Sequence, residues 1–232
     1  MKKYLSLTVV FLLLFAACKS DDSNPSTGDD GGTPLPANAT YQITFTPNFT
    51  SEDFPTDYPA NPQFQGMLIA VHDNTNKVFS TGSLASAGMK DLAETGSNGL
   101  LAIELSEVTS QDEVNFNVQS SASSGGPTSP QTLTIVIEPE KTRLSFVASL
   151  SPSPDWFVGF DSFDLVTADN ALVDDVQITL SVFDAGTDSG TTYEAIDNPT
   201  SPAQSIAAIA GPPFSSGGLA PTIGSVRIQR ID

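Results

Sequence analysis

From Thr40 onward the chain alternates apolar and polar positions with a period of two. Tyr41, Ile43 and Phe45 alternate with Gln42, Thr44 and Thr46, and Leu133, Ile135 and Ile137 alternate with Thr132 and Thr134. The same period runs through Leu144, Phe146, Ala148 and Leu150, and through Val176, Ile178, Leu180 and Val182. Side chains of a strand point alternately to its two faces, so these runs predict strands with one face in a core and one in water. Met67 to Val71 is apolar throughout, which suits a central strand covered on both sides. Asp73-Asn-Thr-Asn76 after it predicts a hairpin turn returning through Lys77 to Phe79, and a last strand is expected around Val226 to Ile231.

One stretch departs from that period. Ser83 is placed to cap a helix whose Leu84, Gly88 and Leu92 share a face and which Gly96 ends, with a second short helix around Leu100 to Leu105. Ser120 to Pro130, SSASSGGPTSP, reads as a mobile loop inside the domain. The expected fold is therefore all-β, an antiparallel β-sandwich with one or two short helices.

The amino terminus follows another pattern. Lys2 and Lys3 precede the apolar run Leu5 to Ala17, which is too short to span a bilayer, and small residues Ala16 and Ala17 precede Cys18. This is the layout of a lipoprotein signal, cleaved before a cysteine that is acylated, although Phe15 stands where Leu is usual. A stray cysteine after an ordinary signal is the plainer alternative. Residues 1–17 are thus read as a signal peptide, with lipidation at Cys18. Residues 18–38, rich in Ser, Asp, Gly and Pro, form a flexible acidic tether, and residues 39–232 form one folded domain. Lys19-Ser-Asp-Asp22 resembles the acidic signal that sends some bacterial lipoproteins to the outer face of the outer membrane. The expected location is the cell envelope, surface-exposed, with the membrane reached through the lipid anchor.

Charge narrows the partners. Removing residues 1–17 takes two lysines and no acids from nine basic and 27 acidic residues, which moves the net charge from −18 to −20. Such a surface repels nucleic acid, so no nucleic-acid partner is expected. With one histidine, His72, and one cysteine, neither a zinc site nor thiol chemistry has its ligands. His72 ends a central strand, where a hydrogen-bonded structural imidazole is the simpler reading than a general base. No phosphate-cradling glycine loop is present.

Oxygen chemistry remains. Two loops, around Pro152 to Asp164 and Phe183 to Gly190, concentrate carboxylates beside turn residues, and calcium takes six to eight oxygens in a flexible geometry. If the strands near 144–150, 160–166 and 176–183 are consecutive and antiparallel, their connections alternate between the two ends of the sheet. Asp155, Asp161, Asp184 and Asp188 then gather at one end, and Glu138, Asp164, Asp169 and Asp174 at the other. Acidic loops that bind nothing are the competing explanation.

Pro152-Ser-Pro-Asp-Trp-Phe-Val-Gly-Phe-Asp-Ser-Phe-Asp-Leu165, followed by Phe183-Asp-Ala-Gly-Thr-Asp-Ser-Gly190, closely resembles the signature of the spondin domain, the amino-terminal module of F-spondin and mindin. Tyr41 to Pro47, Glu52-Asp-Phe-Pro55, Met67 to His72, Ala87-Gly88 and Leu92-Ala-Glu94 follow in the family's order. The chain departs from the pattern at Phe49, where Trp is usual, and in its apolar Ile69 to Val71; it also lacks the disulfide and thrombospondin-type repeats of the animal proteins. The resemblance implies a C2-like sandwich and a calcium ion, with Glu138 and Asp164 as the first ligands to consider. It also implies adhesion or recognition of an extracellular protein or glycan ligand, not catalysis. A structural envelope component, in which calcium only stabilises the fold, is the alternative. A carboxylate-based glycoside hydrolase is the weakest reading, because it needs a defined carboxylate separation and one raised pKa.

Overall fold

The computed structural model describes residues 38–107, 116–121, 123–215 and 222–232. The signal, Cys18 and nearly all of the tether lie outside the described residues. Among the described residues ten strands form two antiparallel sheets, and two helices cover one of them, as the alternating pattern predicts.

The first sheet has the order β4 (Gln131–Ile137), β1 (Ala39–Pro47), β10 (Gly224–Arg230), β7 (Asp175–Thr179). The second has the order β3 (Phe116–Ser120), β2 (Gln63–His72), β5 (Arg143–Ser151), β6 (Trp156–Asp164), β8 (Ser181–Asp184), β9 (Ala207–Ala208). Tyr41, Ile43 and Phe45 are fully buried between the sheets, where Phe45 packs on Phe64 and Phe146 at 5.1 and 5.2 Å between ring centres. Truncating one such ring to alanine typically costs about 3–5 kcal/mol.

A second apolar layer lies outside the second sheet. Helices α1 (Ala87–Thr95) and α2 (Gly99–Glu107) set Met89, Leu92, Leu101 and Leu105 against Leu68, Ala70, Val147 and Phe157. This covering explains the unbroken apolar run Met67–Val71 and the burial of both faces of β5. Gly66, at a bulge in β2 with φ 61°, lies so close to the end of α1 that a Cβ there would meet the Gly96 carbonyl at 2.4 Å.

Several sequence expectations are corrected. The cap of α1 is Ser86, whose side chain accepts from the Met89 amide, not Ser83. The Ser83 carbonyl instead accepts from Ile206, so a long-range pairing has taken it. Gly96 ends the helix in the left-handed conformation, as expected. The Asp73–Asn76 turn forms around the Asp73 carboxylate, which accepts from Thr75 and Asn76, yet residues 77–79 do not return as a strand. The neighbours of β2 are β3 and β5. Within the Ser120–Pro130 loop, Gly125 exchanges backbone hydrogen bonds with Phe64, and Pro127 accepts from Phe49, so its middle is tied to the sandwich rather than free.

A fourth correction matters most for the site. The alternating run 176–182 is not one strand beside β6. Its first half, β7, belongs to the first sheet, and the chain crosses at Leu180, whose amide donates to Gly224, to become β8 in the second. Strand β6 begins at Trp156, earlier than the expected Phe160, and it pairs with β8 from Trp156–Asp184 to Gly159–Ser181.

Candidate functional site at the loop end of the sandwich

The β6–β8 ladder brings the two acidic loops together at one end. Asp155 immediately precedes β6, and its Oδ2 accepts from the Thr187 and Asp188 amides at 2.7 and 3.0 Å. Asp184, the last residue of β8, accepts from the Gly186 amide at 2.7 Å. Gly186 has φ 74° and lies over the Gln204 carbonyl, where a Cβ would come within 2.3 Å, so this tight turn requires glycine. Asp188 accepts from the Gly190 and Asn198 amides at 2.6 and 2.7 Å and is buried. Backbone amides thus hold three carboxylates at adjoining positions.

Asp155 is fully buried, and its Oδ1 has no hydrogen-bond partner. Burial raises its pKa to about 6, with the Asp184 charge adding to the rise and the Thr187 and Asp188 amides opposing it. The Asp184 pKa is also raised, first by burial, then opposed by the Gly186 amide and the nearby Trp156 indole, with Asp188 pushing it up. Like-charged neighbours without a cation are unfavourable, and among the described residues no basic side chain forms an ion pair with these three. Among the described residues no group of three or more His, Cys, Asp or Glu side chains is placed to hold a metal ion, so a cation here would draw part of its oxygens from backbone carbonyls or water.

The opposite end is electrically different. Glu138 pairs with Lys141 at 2.8 Å, Asp164 with Arg143 at 3.0 Å and Asp174 with Arg230 at 2.6 Å, while Arg227 pairs with Asp175. Asp169 is exposed in the turn that precedes β7. All three arginines and Lys141 therefore neutralise carboxylates at this end, among them Asp164 (Arg143) and Glu138 (Lys141), the pair to which the resemblance first points. The sequence places these acids together but does not show that Glu138, Asp164 and Asp174 each have their own counter-ion.

Asp161 leaves the first group. It lies six residues beyond Asp155, which along a strand is a separation of roughly 20 Å, and it joins a buried polar network instead. Ser145 Oγ donates to its Oδ1 at 2.8 Å, the Val78 amide to the same oxygen at 2.9 Å and Ser162 Oγ to its Oδ2 at 2.6 Å. His72, fully buried, meets Ser145 Oγ at 2.8 Å and the Asp73 carbonyl at 2.7 Å. Burial lowers the imidazole pKa, opposed by the hydrogen bond to Asp73 and the Asp161 charge. This is the structural histidine expected at that position, with Ser145 fully enclosed beside it.

An aromatic cluster floors the carboxylate end. Trp156, buried as expected of a residue packed over the sandwich end, meets Tyr193 edge-on at 5.3 Å and Phe214 at 5.2 Å; Tyr193 also packs on Phe49. The Trp156 indole N–H and the Tyr193 hydroxyl are both buried without a regular hydrogen bond. Tyr193 has no signal in the sequence, because a lone aromatic in a polar loop follows no period.

Two antiparallel sheets, an amide-organised carboxylate end and an aromatic floor define a β-sandwich whose distinctive chemistry lies in its loops. The Spondin_N family matches residues 39–215, and the chain belongs to that family. It is 31% identical to rat Spondin-2 over 206 residues, covering 86% of this chain and 61% of that protein. Human Spondin-2 is 32% identical over 177 residues, covering 74% of this chain and 52% of the relative. Human Spondin-1 is 32% identical over 209 residues, covering 83% of this chain and 25% of the relative. The matched region thus spans less than two thirds of these relatives. No helix among the described residues is long and apolar enough to cross a membrane.

Proposed function

We propose that this spondin-family domain is a non-catalytic recognition module of the bacterial cell envelope, held at the outer membrane through Cys18, whose carboxylate end binds calcium and faces an extracellular protein or glycan ligand. One observation carries the metal reading: Asp155 Oδ1 is fully buried without a partner, within reach of the Asp184 charge, and neither carboxylate has an ion-pair partner among the described residues. A hard dication satisfies such an oxygen, and the all-oxygen donor set fits calcium better than a softer metal. Asp155, Asp184 and Asp188 would hold it. Glu138 and Asp164, already neutralised, and Asp161, satisfied within the His72 network, are not assigned to it. The family membership and the signal-like amino terminus support the envelope reading, and the absence of any exposed nucleophile–base pair at His72 favours binding over catalysis.

The test is a thermal melt in calcium and then in chelator. An ion that binds only the folded state at a hundredfold excess over Kd stabilises by about 2.7 kcal/mol, a rise of roughly 5–10 °C for a domain of this size. An identical melt in both conditions overturns the metal reading.

A further inference from the structure

Beside the aromatic floor, the 57–60 and 192–194 loops line an open cavity of about 500 Å³. Its walls include Asp57, Tyr58, Thr192, Tyr193 and Glu194. Asp57 and Glu194 are exposed and neither has an ion-pair partner among the described residues. Tyr193 is 2% exposed, and its hydroxyl has no hydrogen-bond partner. The Tyr58 hydroxyl, by contrast, is committed to the Phe49 carbonyl at 2.7 Å, which fixes that ring as a wall. The functional side-chain groups here are oxygens: two carboxylates, a threonine hydroxyl and an unsatisfied phenol, beside aromatic surface.

We propose that this cavity receives the ammonium or guanidinium group of a lysine or arginine side chain presented by a partner protein. Such a group carries several N–H donors and a positive charge, the complement of an oxygen-lined, uncompensated pocket. Aromatic walls add attraction for a cation and accommodate the alkyl stem beneath it. Burial keeps the Tyr193 phenol protonated at neutral pH, so its oxygen remains a neutral acceptor. The chain's net charge of −18, with its arginines drawn to the other end, steers a basic segment toward this one. The assignment deepens the recognition reading by giving the partner's chemistry, and it does not depend on the calcium site.

The experiment is an NMR titration of the nitrogen-labelled protein with Nα-acetyl-lysine methylamide, its arginine analogue, and the uncharged norleucine analogue. Saturable shifts of the 57–60 and 192–194 amides with the two cations, and none with norleucine, are expected. Asp57→Asn with Glu194→Gln should weaken binding about tenfold. Tyr193→Phe, which removes only an unpartnered hydroxyl, should weaken it several-fold while leaving the melting temperature equal or higher. Equal shifts with norleucine, no saturation, or undiminished binding by the double variant would overturn the proposal. So would calcium alone reproducing the shifts with no competition from lysine. Lysine binding should be equally strong in calcium and in chelator, which separates failure of this proposal from failure of the calcium reading.

Discussion

Trp156 and Asp184 stand directly opposite one another where the β6–β8 ladder begins. That pairing fixes the register of both acidic loops: Asp155 precedes one partner, Ala185 to Asp188 follow the other, and the Ala185 amide closes on the Asp155 carbonyl at 3.1 Å. A slip of one residue would turn every side chain of β8 over and separate the carboxylates.

The two ends of the sandwich should respond oppositely to charge removal. Asp155→Asn is expected to abolish most of the calcium-dependent rise in melting temperature. Asp164→Asn should leave that rise intact and lower the melting temperature in chelator only slightly, because its partner Arg143 is partly exposed. A calcium response lost in Asp164→Asn but kept in Asp155→Asn would move the site to the opposite end.

The pH dependence has a definite sign. The folded-state pKa of Asp155, about 6, lies above the ordinary 3.8. The folded state thus holds this proton more tightly, and its contribution to stability declines as pH rises from about 3.8 to about 6. His72 acts in reverse: its lowered pKa makes stability fall as pH drops below 6.5. Denaturant melts of wild type and Asp155→Asn across this range separate the two, since the variant should lose only the first slope. Parallel curves would show that Asp155 ionises normally.

Much of the fold is legible in the sequence because both inner faces line one core. The parity of Val176, Ile178, Leu180 and Val182 survives the crossing at Leu180 for that reason, and it hides the change of sheet. Ser145 and Ser149 look like outward positions of β5, yet the His72–Asp161 network encloses the first and α1 covers the second, whose hydroxyl donates to the Ala93 carbonyl; no local period reveals either covering. In the site, the grouping of Asp155, Asp184 and Asp188 follows from strand alternation. The separation of Asp161 depends on where β6 starts, and the neutralisation of Asp164 depends on Arg143 from the neighbouring strand, whereas Glu138 finds its partner Lys141 three residues on.

The His72–Ser145–Asp161 network should be structural. Asp161→Asn leaves the Val78 amide and Ser145 competing for a weaker acceptor, and it should cost about 2 kcal/mol, roughly 4–8 °C. The calcium response should persist. Loss of calcium binding with an unchanged baseline melt would return Asp161 to the metal site.

For the anchor, Cys18→Ala should release the protein from the membrane fraction or leave its precursor uncleaved. Protease added to intact cells should cut within residues 19–38 if the domain is displayed outside. Wild-type fractionation of the variant would rule out acylation, and protection until lysis would place the domain in the periplasm.

Strand β1 enters the first sheet at Ala39, beside Ile137 and the arginine-paired end, and leaves it at Pro47, beside Gly224. Nine residues of extended chain span roughly 30 Å. The carboxy terminus returns to the point of entry, where the Asp232 carboxylate accepts from the Thr40 amide. Whatever precedes residue 39 therefore joins the domain at its neutralised base. Asp155, Tyr193 and their loops thus lie a full sheet height from the point where the chain enters the domain.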